Sequence, residues 1–272
     1  LNAVLDICER KISLNWNSYI NWNNGVSTYE VYASENGGAY SLLTSTSSLS
    51  YIHTGVNRLS IYCYVIKATE NVTGEISLSN KKCIYISQPQ QPAYSYLQTA
   101  TVENEIVEIR LFADAAASVS SYRFERADDP AGPYNSIGTS AVGPNPVQIS
   151  DATAMVQAYS YYYRAVVIDS CGDDAMISNY GRTILLSVTP NDAALVNILQ
   201  WNHYDGWDGT ITSYTIYRSV NGVFDPAPVA TLSGSQRYFE DDVSTLLQAT
   251  GEFCYYVEAL EVTHSYGISE IS

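Results

Sequence analysis

The sequence predicts an all-β protein built of three tandem immunoglobulin-like β-sandwiches in a rod. Three observations predict this fold: an internal repeat, a period-two alternation of apolar and polar residues, and turn residues that interrupt the alternation at short intervals. The composition agrees, because only 15% of the 272 residues are charged while 24 residues are Tyr. Aromatic and β-branched residues suit the half-buried surface of a pleated sheet better than a helix.

The internal repeat is clearest between the segments that begin at Leu14 and Leu199. One constant offset aligns them without a gap, including the shared motif Trp-Asn-x-Tyr-x-x-Trp. The aligned pairs are Trp16 with Trp201, Asn17 with Asn202, Tyr19 with Tyr204, Trp22 with Trp207, Tyr29 with Tyr214 and Tyr32 with Tyr217. A more diverged middle copy has its first strand at Val107–Asp114 and its second strand from Tyr122. We therefore expect modules at residues 1–88, 89–187 and 188–272, the last one truncated at its C-terminal end.

The alternation inside each module has the period of a strand. Ile12, Leu14 and Trp16 alternate with polar residues, and a later segment of each module repeats the pattern. Those later segments are Tyr62–Ala68, Tyr161–Val167 and Phe253–Ala259. Turn residues such as Asn221-Gly222 separate the strands. No segment has a helical period, so we expect no helix longer than two turns.

Two junctions separate the modules. Pro89 and Pro92 make the first linker a stiff, extended spacer. The second junction, near Ser187–Pro190, has almost no spare residues, so we expect the modules on either side of it to touch.

Charge is graded along the chain and excludes two classes of partner. The formal net charge is −15, and the three modules carry 0, −6 and −9. Nucleic acids and anionic membrane surfaces both attract clustered Lys and Arg, so we expect neither as a partner. No apolar run is long enough to cross a bilayer, so we expect no direct membrane insertion. The chain starts at Leu1 without a leader sequence, and we expect any secretion signal to have been removed or to lie outside it.

Catalytic chemistry has little support in the sequence. The histidines His53, His203 and His264 fall at separate places without ligand-spaced partners, and no phosphate-binding or nucleophile motif is present. The densest acidic cluster, Glu240–Asp242, is interpreted as a solvated turn rather than a catalytic pair. We expect no enzyme activity and no cofactor.

A cation site is a weaker alternative in one loop. Asp205 and Asp208 place two carboxylates among glycines, which is the oxygen chemistry that Ca²⁺ prefers. The spacing matches the twelve-residue calcium loop poorly, and the equivalent loop of the first module has Ile20 and Asn23 instead. The expected metal content is therefore none, with Asp205 and Asp208 as the weak candidate.

The repeated strands resemble fibronectin type III modules. The resemblance makes Trp16 and Trp201 the core tryptophans of the second strand. It places Tyr62, Tyr161 and Phe253 at the family's tyrosine corner, where the Phe would lose the hydroxyl bond. The middle module departs from the pattern, because Leu111 stands where a core Trp is expected.

A narrower resemblance links the stretch Ile168–Leu186, followed by the Trp-Asn-x-Tyr-x-x-Trp motif, to the tandem arrays of large Bacteroidetes surface proteins. These proteins typically carry a gliding-motility-associated sorting domain for type IX secretion. The resemblance implies a secreted, cell-surface protein whose partners are other domains of the same parent chain. It implies a non-catalytic stalk or adhesin segment that spaces or presents a functional domain.

Four aromatic residues leave a second function open. Trp22 and Trp207 lie past the core tryptophans, and Tyr32 and Tyr217 have the outward parity of their strand. They could stack on sugars, as in glycan-binding accessory modules of a secreted polysaccharide-degrading enzyme. The alternative is that they pack against neighbouring loops or cover a sheet edge, which is the interpretation that we favour.

The strand register predicts one disulfide. If the last two strands of the first module form a hairpin about Thr73, Cys63 and Cys83 face each other on the outer side of the sheet. Such a bridge indicates an oxidising, extracellular setting. Cys254 repeats the position of Cys63, and the match of Ser79 with Ser269 would put its partner just past the end of the chain. The partners of Cys8 and Cys171 stay open, as does a fully reduced state.

Overall fold

The computed structural model describes residues 1–246, 251–262 and 272. Buried and exposed side chains alternate along most of its strands. The chain divides into two compact units, residues 1–90 and 91–272. In the described residues, the strands form six antiparallel sheets around three separate apolar cores. The protein is therefore all-β, with tandem immunoglobulin-like sandwiches, as the sequence predicts.

The first unit holds one sandwich. Its strands are β1 (Asn2–Asp6), β2 (Lys11–Asn15), β3 (Val26–Glu35), β4 (Ser41–Thr46), β5 (Ser50–Thr54), β6 (Ile61–Glu70), β7 (Ile76–Leu78) and β8 (Lys82–Tyr85). One sheet has the order β1-β2-β5, and the other has the order β4-β3-β6 with β7 and β8 both paired to β6. Trp16 lies in the core, edge-on to Tyr29 at 5.9 Å between ring centroids.

The second unit holds two sandwiches, of which the first has the diverged sequence. Its strands are β9 (Ser95–Glu103), β10 (Ile106–Ala113), β11 (Val119–Ala127), β12 (Asn135–Ala141), β13 (Val147–Asp151), β14 (Tyr162–Asp169), β15 (Asp174–Ile177) and β16 (Gly181–Arg182). The sheets have the orders β13-β10-β9 and β12-β11-β14, with β15 and β16 paired to β14. Leu111 is fully buried at the place that Trp16 occupies in the first sandwich.

The last sandwich repeats the pattern of the first. Its described strands are β17 (Leu186–Asn191), β18 (Val196–Trp201), β19 (Ile211–Val220), β20 (Val223–Phe224), β21 (Ala230–Ser233), β22 (Tyr238–Asp242) and β23 (Phe253–Glu261), with a 3₁₀ turn at Ser244–Leu246. The sheet β17-β18-β22 faces a sheet in which β20, β21 and β23 pair with β19. Trp201 lies in the core beside Tyr214, 5.7 Å away.

Two local interpretations of the sequence are wrong. The segment near Ser187–Pro190 is not a junction but part of strand β17. The acidic cluster Glu240–Asp242 is not a solvated turn, because it lies in β22 and Asp241 is only 5% exposed. Alternate residues of a strand face opposite sides of the sheet, so Asp241 points into the sandwich while Glu240 and Asp242 are exposed.

No helix in the described ranges is long and apolar enough to cross a membrane, since the 3₁₀ turn at Ser244–Leu246 is the single helical element there.

Candidate functional site

The second copy of the Trp-Asn-x-Tyr-x-x-Trp motif forms the junction inside the second unit. β18 ends at the core residue Trp201, and the chain then crosses to β19 through an irregular loop at residues 202–210. Gly206 and Gly209 in this loop allow backbone conformations and approaches that other residues resist. The side chains of this loop contact the preceding sandwich, so we call residues 201–207 the junction clamp.

Asn202 holds the peptide that connects the two sandwiches. Its Oδ1 accepts a hydrogen bond from the amide of Leu185 at 2.6 Å, and its Nδ2 donates to the carbonyl of Thr183 at 3.0 Å. Nδ2 also donates to the carbonyl of His203 at 2.8 Å. The first two hydrogen bonds fix the connecting peptide against the end of β18, and the third stays within the loop.

Tyr204 and Trp207 cap the edge of strand β9 in the preceding sandwich. The amide of Ala100 donates to the Tyr204 hydroxyl at 3.1 Å, and the Trp207 indole donates to the carbonyl of Gln98 at 2.6 Å. The two rings pack on each other at 4.0 Å between centroids, and Tyr204 is 1% exposed. β9 is the edge strand of its sheet, so these side chains satisfy main-chain groups that no neighbouring strand pairs.

Asn179 completes the junction from the side of the preceding sandwich. Its Oδ1 accepts from the amide of Leu97 at 2.7 Å, and its Nδ2 donates to the carbonyls of Leu97 at 3.1 Å and Gly206 at 2.8 Å. The close approach requires glycine, because a Cβ on Gly206 would lie 1.7 Å from the carbonyl oxygen of Tyr180. The amide of Arg182 adds a hydrogen bond to the carbonyl of Asp205 at 2.9 Å.

Sequence reasoning missed most of this junction. The motif itself was visible as a repeat, but its partners Gln98 and Ala100 contribute main-chain groups, which carry no residue-type signal. Asn179 lies in the stretch used for the narrower resemblance, with no sign of its role. Gly206 in the loop was the one available indication that two backbones come close.

The first copy of the motif keeps the same internal geometry. The rings of Tyr19 and Trp22 lie 4.1 Å apart, and the amide of Tyr19 donates to the hydroxyl of Tyr29 at 3.2 Å. The corresponding amide of Tyr204 donates to Tyr214 at 3.0 Å. Both tryptophans named as candidate sugar contacts therefore have one ring face packed on a tyrosine, and Trp207 is further engaged by β9.

The two outward tyrosines lie on different sandwiches. Tyr32 is half-buried on the outer face of β3. Tyr217 stacks on its cross-strand partner Tyr256 with centroids 4.6 Å apart and planes within 13°, and Phe224 meets the edge of that pair. The stacking occupies one face of each tyrosine ring. Sugar binding by Trp22, Trp207, Tyr32 and Tyr217 stays a prediction.

The weak cation candidates lie in the junction loop. Asp205 is half-buried and Asp208 is exposed. Among the residues that the structure describes, no three His, Cys, Asp or Glu side chains are grouped so that they could hold a metal ion. His203 lies beside Arg237 and contacts the Tyr214 hydroxyl at 3.0 Å through Nδ1. Burial, aided by the positive charge of Arg237, lowers the pKa of His203. His264 lies outside the described residues.

Cys63 and Cys83 form a disulfide. Their Cα atoms are 4.0 Å apart, and they are direct partners in the pairing of β6 with β8. Tyr62 and Tyr64 on either side of Cys63 point into the core, so the bridge lies on the outer face of the sheet. Nearer the turn the register differs by one residue, because residues 79–81 interrupt the strand between β7 and β8. Cys254 is an exposed free thiol, whereas Ser269 lies outside the described residues.

The tyrosine-corner positions differ among the sandwiches. The amide of Asn57 donates to the Tyr62 hydroxyl at 3.1 Å, which is the bond that the resemblance implies. Tyr161 instead lies under the guanidinium of Arg126, 4.8 Å from the ring centroid. Phe253 has no hydroxyl to contribute.

Comparisons with known proteins return structural similarity without sequence relatives. No protein-family model matches the chain, and no curated protein matches it. Among solved structures, the FN1–FN3 domains of chicken CNTN1 are 12% identical, with a TM-score of 0.30 over 100% of this chain and 95% of that one. The central fibronectin-III array of RIM-binding protein is 14% identical, with a TM-score of 0.23 over 94% of this chain and 88% of that one. The chain is thus similar to two arrays of fibronectin type III domains.

Proposed function

We propose that this chain is a non-catalytic segment of a larger secreted, cell-surface protein, and that its three modules space or present other domains of the parent chain. The modules are those expected at residues 1–88, 89–187 and 188–272, with the second boundary moved to residue 185 because β17 belongs to the last sandwich. The observation that carries the proposal is the junction clamp. It is built from one repeat motif and joins two sandwiches into a single compact unit. A segment that transmits position between domains needs such fixed junctions, whereas a catalytic module needs a cleft of convergent reactive groups.

The outer disulfide supports the extracellular setting. Cys63–Cys83 closes the last hairpin of the first sandwich, and such bridges persist in oxidising compartments. The finer placement, in a Bacteroidetes surface protein of the gliding-motility-associated, type IX secretion class, rests on the sequence resemblance of Ile168–Leu186. The expected partners are the neighbouring domains of that parent chain.

The test replaces residues 1–272 in the parent protein by an unrelated array of three β-sandwiches. Deletion is expected to abolish antibody access to the domain that the segment presents on intact cells, and the unrelated array is expected to restore it. A spacer depends on length and stiffness rather than on its own surface. If the unrelated array restores display of the presented domain but not the function of the parent protein, the proposal is contradicted and a specific ligand of this segment is favoured.

Glycan-binding accessory modules are the competing function, and an array of immobilised glycans distinguishes them. The isolated chain is expected to bind no glycan. Binding that Trp22→Ala abolishes would support the competing function, because Trp22 lies in the first unit and makes none of the junction contacts of Trp207. Trp207→Ala is a poorer probe, since it also removes the hydrogen bond to Gln98.

A further inference from the structure

We propose that the first copy of the motif, residues 16–22, is an open junction clamp that takes the connecting peptide and edge strand of another β-sandwich module immediately N-terminal to Leu1. The inference rests on the proposed function as a tandem-module segment and names one partner of that segment. It is drawn from the geometry of the loop and from the clamp already closed in the second unit.

The first copy is preformed in the conformation that binds. Its Tyr19–Trp22 ring pair has a centroid distance of 4.1 Å and an interplanar angle of 41°, against 4.0 Å and 35° for Tyr204 and Trp207. The amide of Tyr19 is fixed by Tyr29 as that of Tyr204 is by Tyr214. A clamp held in place by its own sandwich loses little conformational entropy when a partner arrives.

The polar groups that close the second clamp are unused in the first. Within the described residues, the Asn17 side chain, the Tyr19 hydroxyl and the Trp22 indole nitrogen form no hydrogen bond. Asn17 is exposed and Tyr19 is partly exposed, whereas Tyr204 is 1% exposed. Beside them Ile20 is 86% exposed, the highest value among the large apolar side chains of the described residues.

The chain enters the first sandwich at this clamp. β1 and β2 pair with Asn2 opposite Asn15, so Leu1 lies at the end of the sandwich that carries Trp16 and Asn17. In the last sandwich Leu186 is opposite Trp201, and the amide just before it, that of Leu185, donates to Asn202. A peptide preceding Leu1 would pass Asn17 in the same way.

The required partner chemistry follows from the closed clamp. The partner offers the free edge of a strand, with a carbonyl and an amide two residues apart that correspond to those of Gln98 and Ala100. The partner differs from the middle sandwich in the loop that corresponds to Tyr180, because Asn21 stands where the closed clamp has Gly206 and its side chain would collide with a backbone placed like that of Tyr180. We therefore expect a module whose corresponding loop is set back, with an apolar side chain facing Ile20.

The experiment uses the native chain extended by the roughly one hundred residues that precede Leu1, the size of one module, compared with residues 1–272. Indole ¹⁵N labelling reports each tryptophan, and the Trp207 signal serves as the internal control, since its bond to Gln98 is present in both proteins. We expect the extension to slow hydrogen exchange of the Trp22 indole by roughly tenfold or more, as a buried hydrogen bond does. Asn17→Ala in the extended chain should partly reverse this protection.

A second protein keeps the test decisive. Residues 91–185 are fused directly before Leu1, and the clamp carries Ile20→Asp and Asn21→Gly so that it matches the closed copy. Protection of Trp22 in this fusion is expected to approach that of Trp207. Unchanged Trp22 exchange in both proteins, with Trp207 protected, would overturn the inference, and so would a native chain that has no β-sandwich before Leu1. The spacer role would survive the first outcome if the unrelated array still restores display.

Discussion

The Tyr255 hydroxyl donates to Oδ2 of Asp241 at 2.7 Å, and the same two positions are linked in every sandwich. In the middle sandwich Tyr163 donates to Asp151 at 2.9 Å, and in the first Tyr64 contacts His53 Nδ1 at 2.8 Å. Each tyrosine reaches from its own strand, β6, β14 or β23, to the edge strand of the opposite sheet. The contact joins the two sheets of a sandwich through a polar pair inside the core.

The charge of this pair is balanced on a third strand. Arg218 donates to Asp241 at 2.8 Å, and Arg126 donates to Asp151 at 2.7 Å. Their counterpart in the first sandwich is Ala33, opposite Tyr64 in the pairing of β3 with β6. A buried carboxylate requires a cation, whereas a neutral imidazole does not, so Arg accompanies Asp and Ala accompanies His.

Asp241→Ala is expected to destabilise the second unit by about 3–5 kcal/mol, because it leaves Arg218 partly buried without its carboxylate. The double variant Asp241→His with Arg218→Ala copies the first sandwich and should lose markedly less. Urea denaturation of the full chain measures both. A double variant as unstable as the single one would show that the residue types are not interchangeable between sandwiches.

Asn202→Ala is expected to destabilise the second unit by about 1–3 kcal/mol, because it removes the two hydrogen bonds that hold the connecting peptide at Thr183 and Leu185. Asn17→Ala is the matched control in residues 1–272, and its effect should be within about 0.5 kcal/mol of zero. Hydrogen exchange at the amide of Leu185 should accelerate in the first variant alone. Equal effects of the two changes would refute the junction role of Asn202.

Gly206→Ala tests the close approach of the two sandwiches. Both Gly206 and Gly222 have positive φ, but only Gly206 would place a Cβ against another backbone, that of Tyr180. Gly222→Ala should cost about 1 kcal/mol from its conformation. Gly206→Ala should cost clearly more and should weaken the protection of the Trp207 indole. The comparison by thermal unfolding would contradict the contact if the two losses are the same.

Removal of the disulfide with Cys63→Ser and Cys83→Ser is expected to lower the stability of the first unit by about 3 kcal/mol, since the bridge closes a loop of sequence separation 20. Cys254→Ser is the control, because this thiol is exposed and free. Differential scanning calorimetry measures each change.

The stability of the first sandwich is expected to fall as the pH drops through the range of histidine. Burial, opposed by the nearby Glu35 carboxylate, lowers the pKa of His53 below its ordinary value. The unfolded chain then takes up the proton more readily than the folded one, so the loss begins near pH 6.5, the ordinary histidine value, and grows until the folded pKa is passed. His53→Gln keeps a partner for Tyr64 and should flatten the profile.

Carboxylates affect the stability of the first sandwich in a separate, more acidic pH range. Hydrogen bonds from the amides of Thr73 and Val72 outweigh burial and lower the pKa of Glu70 to about 2, so its contribution is lost only as the pH falls towards that value. An NMR titration of the His53 ring measures the histidine step directly. A His53 pKa at or above about 6.5 would contradict the prediction.

Local pattern was sufficient for the strands and for one crosslink. Ile12, Leu14 and Trp16 alternate with polar residues and are buried, because a strand turns every second side chain to the core. The same parity placed Cys63 on the outer face opposite Cys83. Such arguments fail where a strand is mistaken for a turn, as at Asp241.

The sequence by itself determined the all-β class, the repeated sandwich and the facing pair Cys63–Cys83, because these follow from the spacing of residues along one chain segment. Only the tertiary structure decided what the Trp-Asn-x-Tyr-x-x-Trp motif does. Tyr204 and Trp207 bind main-chain groups of β9, about a hundred residues earlier in the chain. Every residue carries those groups, so no residue type announces them, and only the folded edge strand presents them at the right distance.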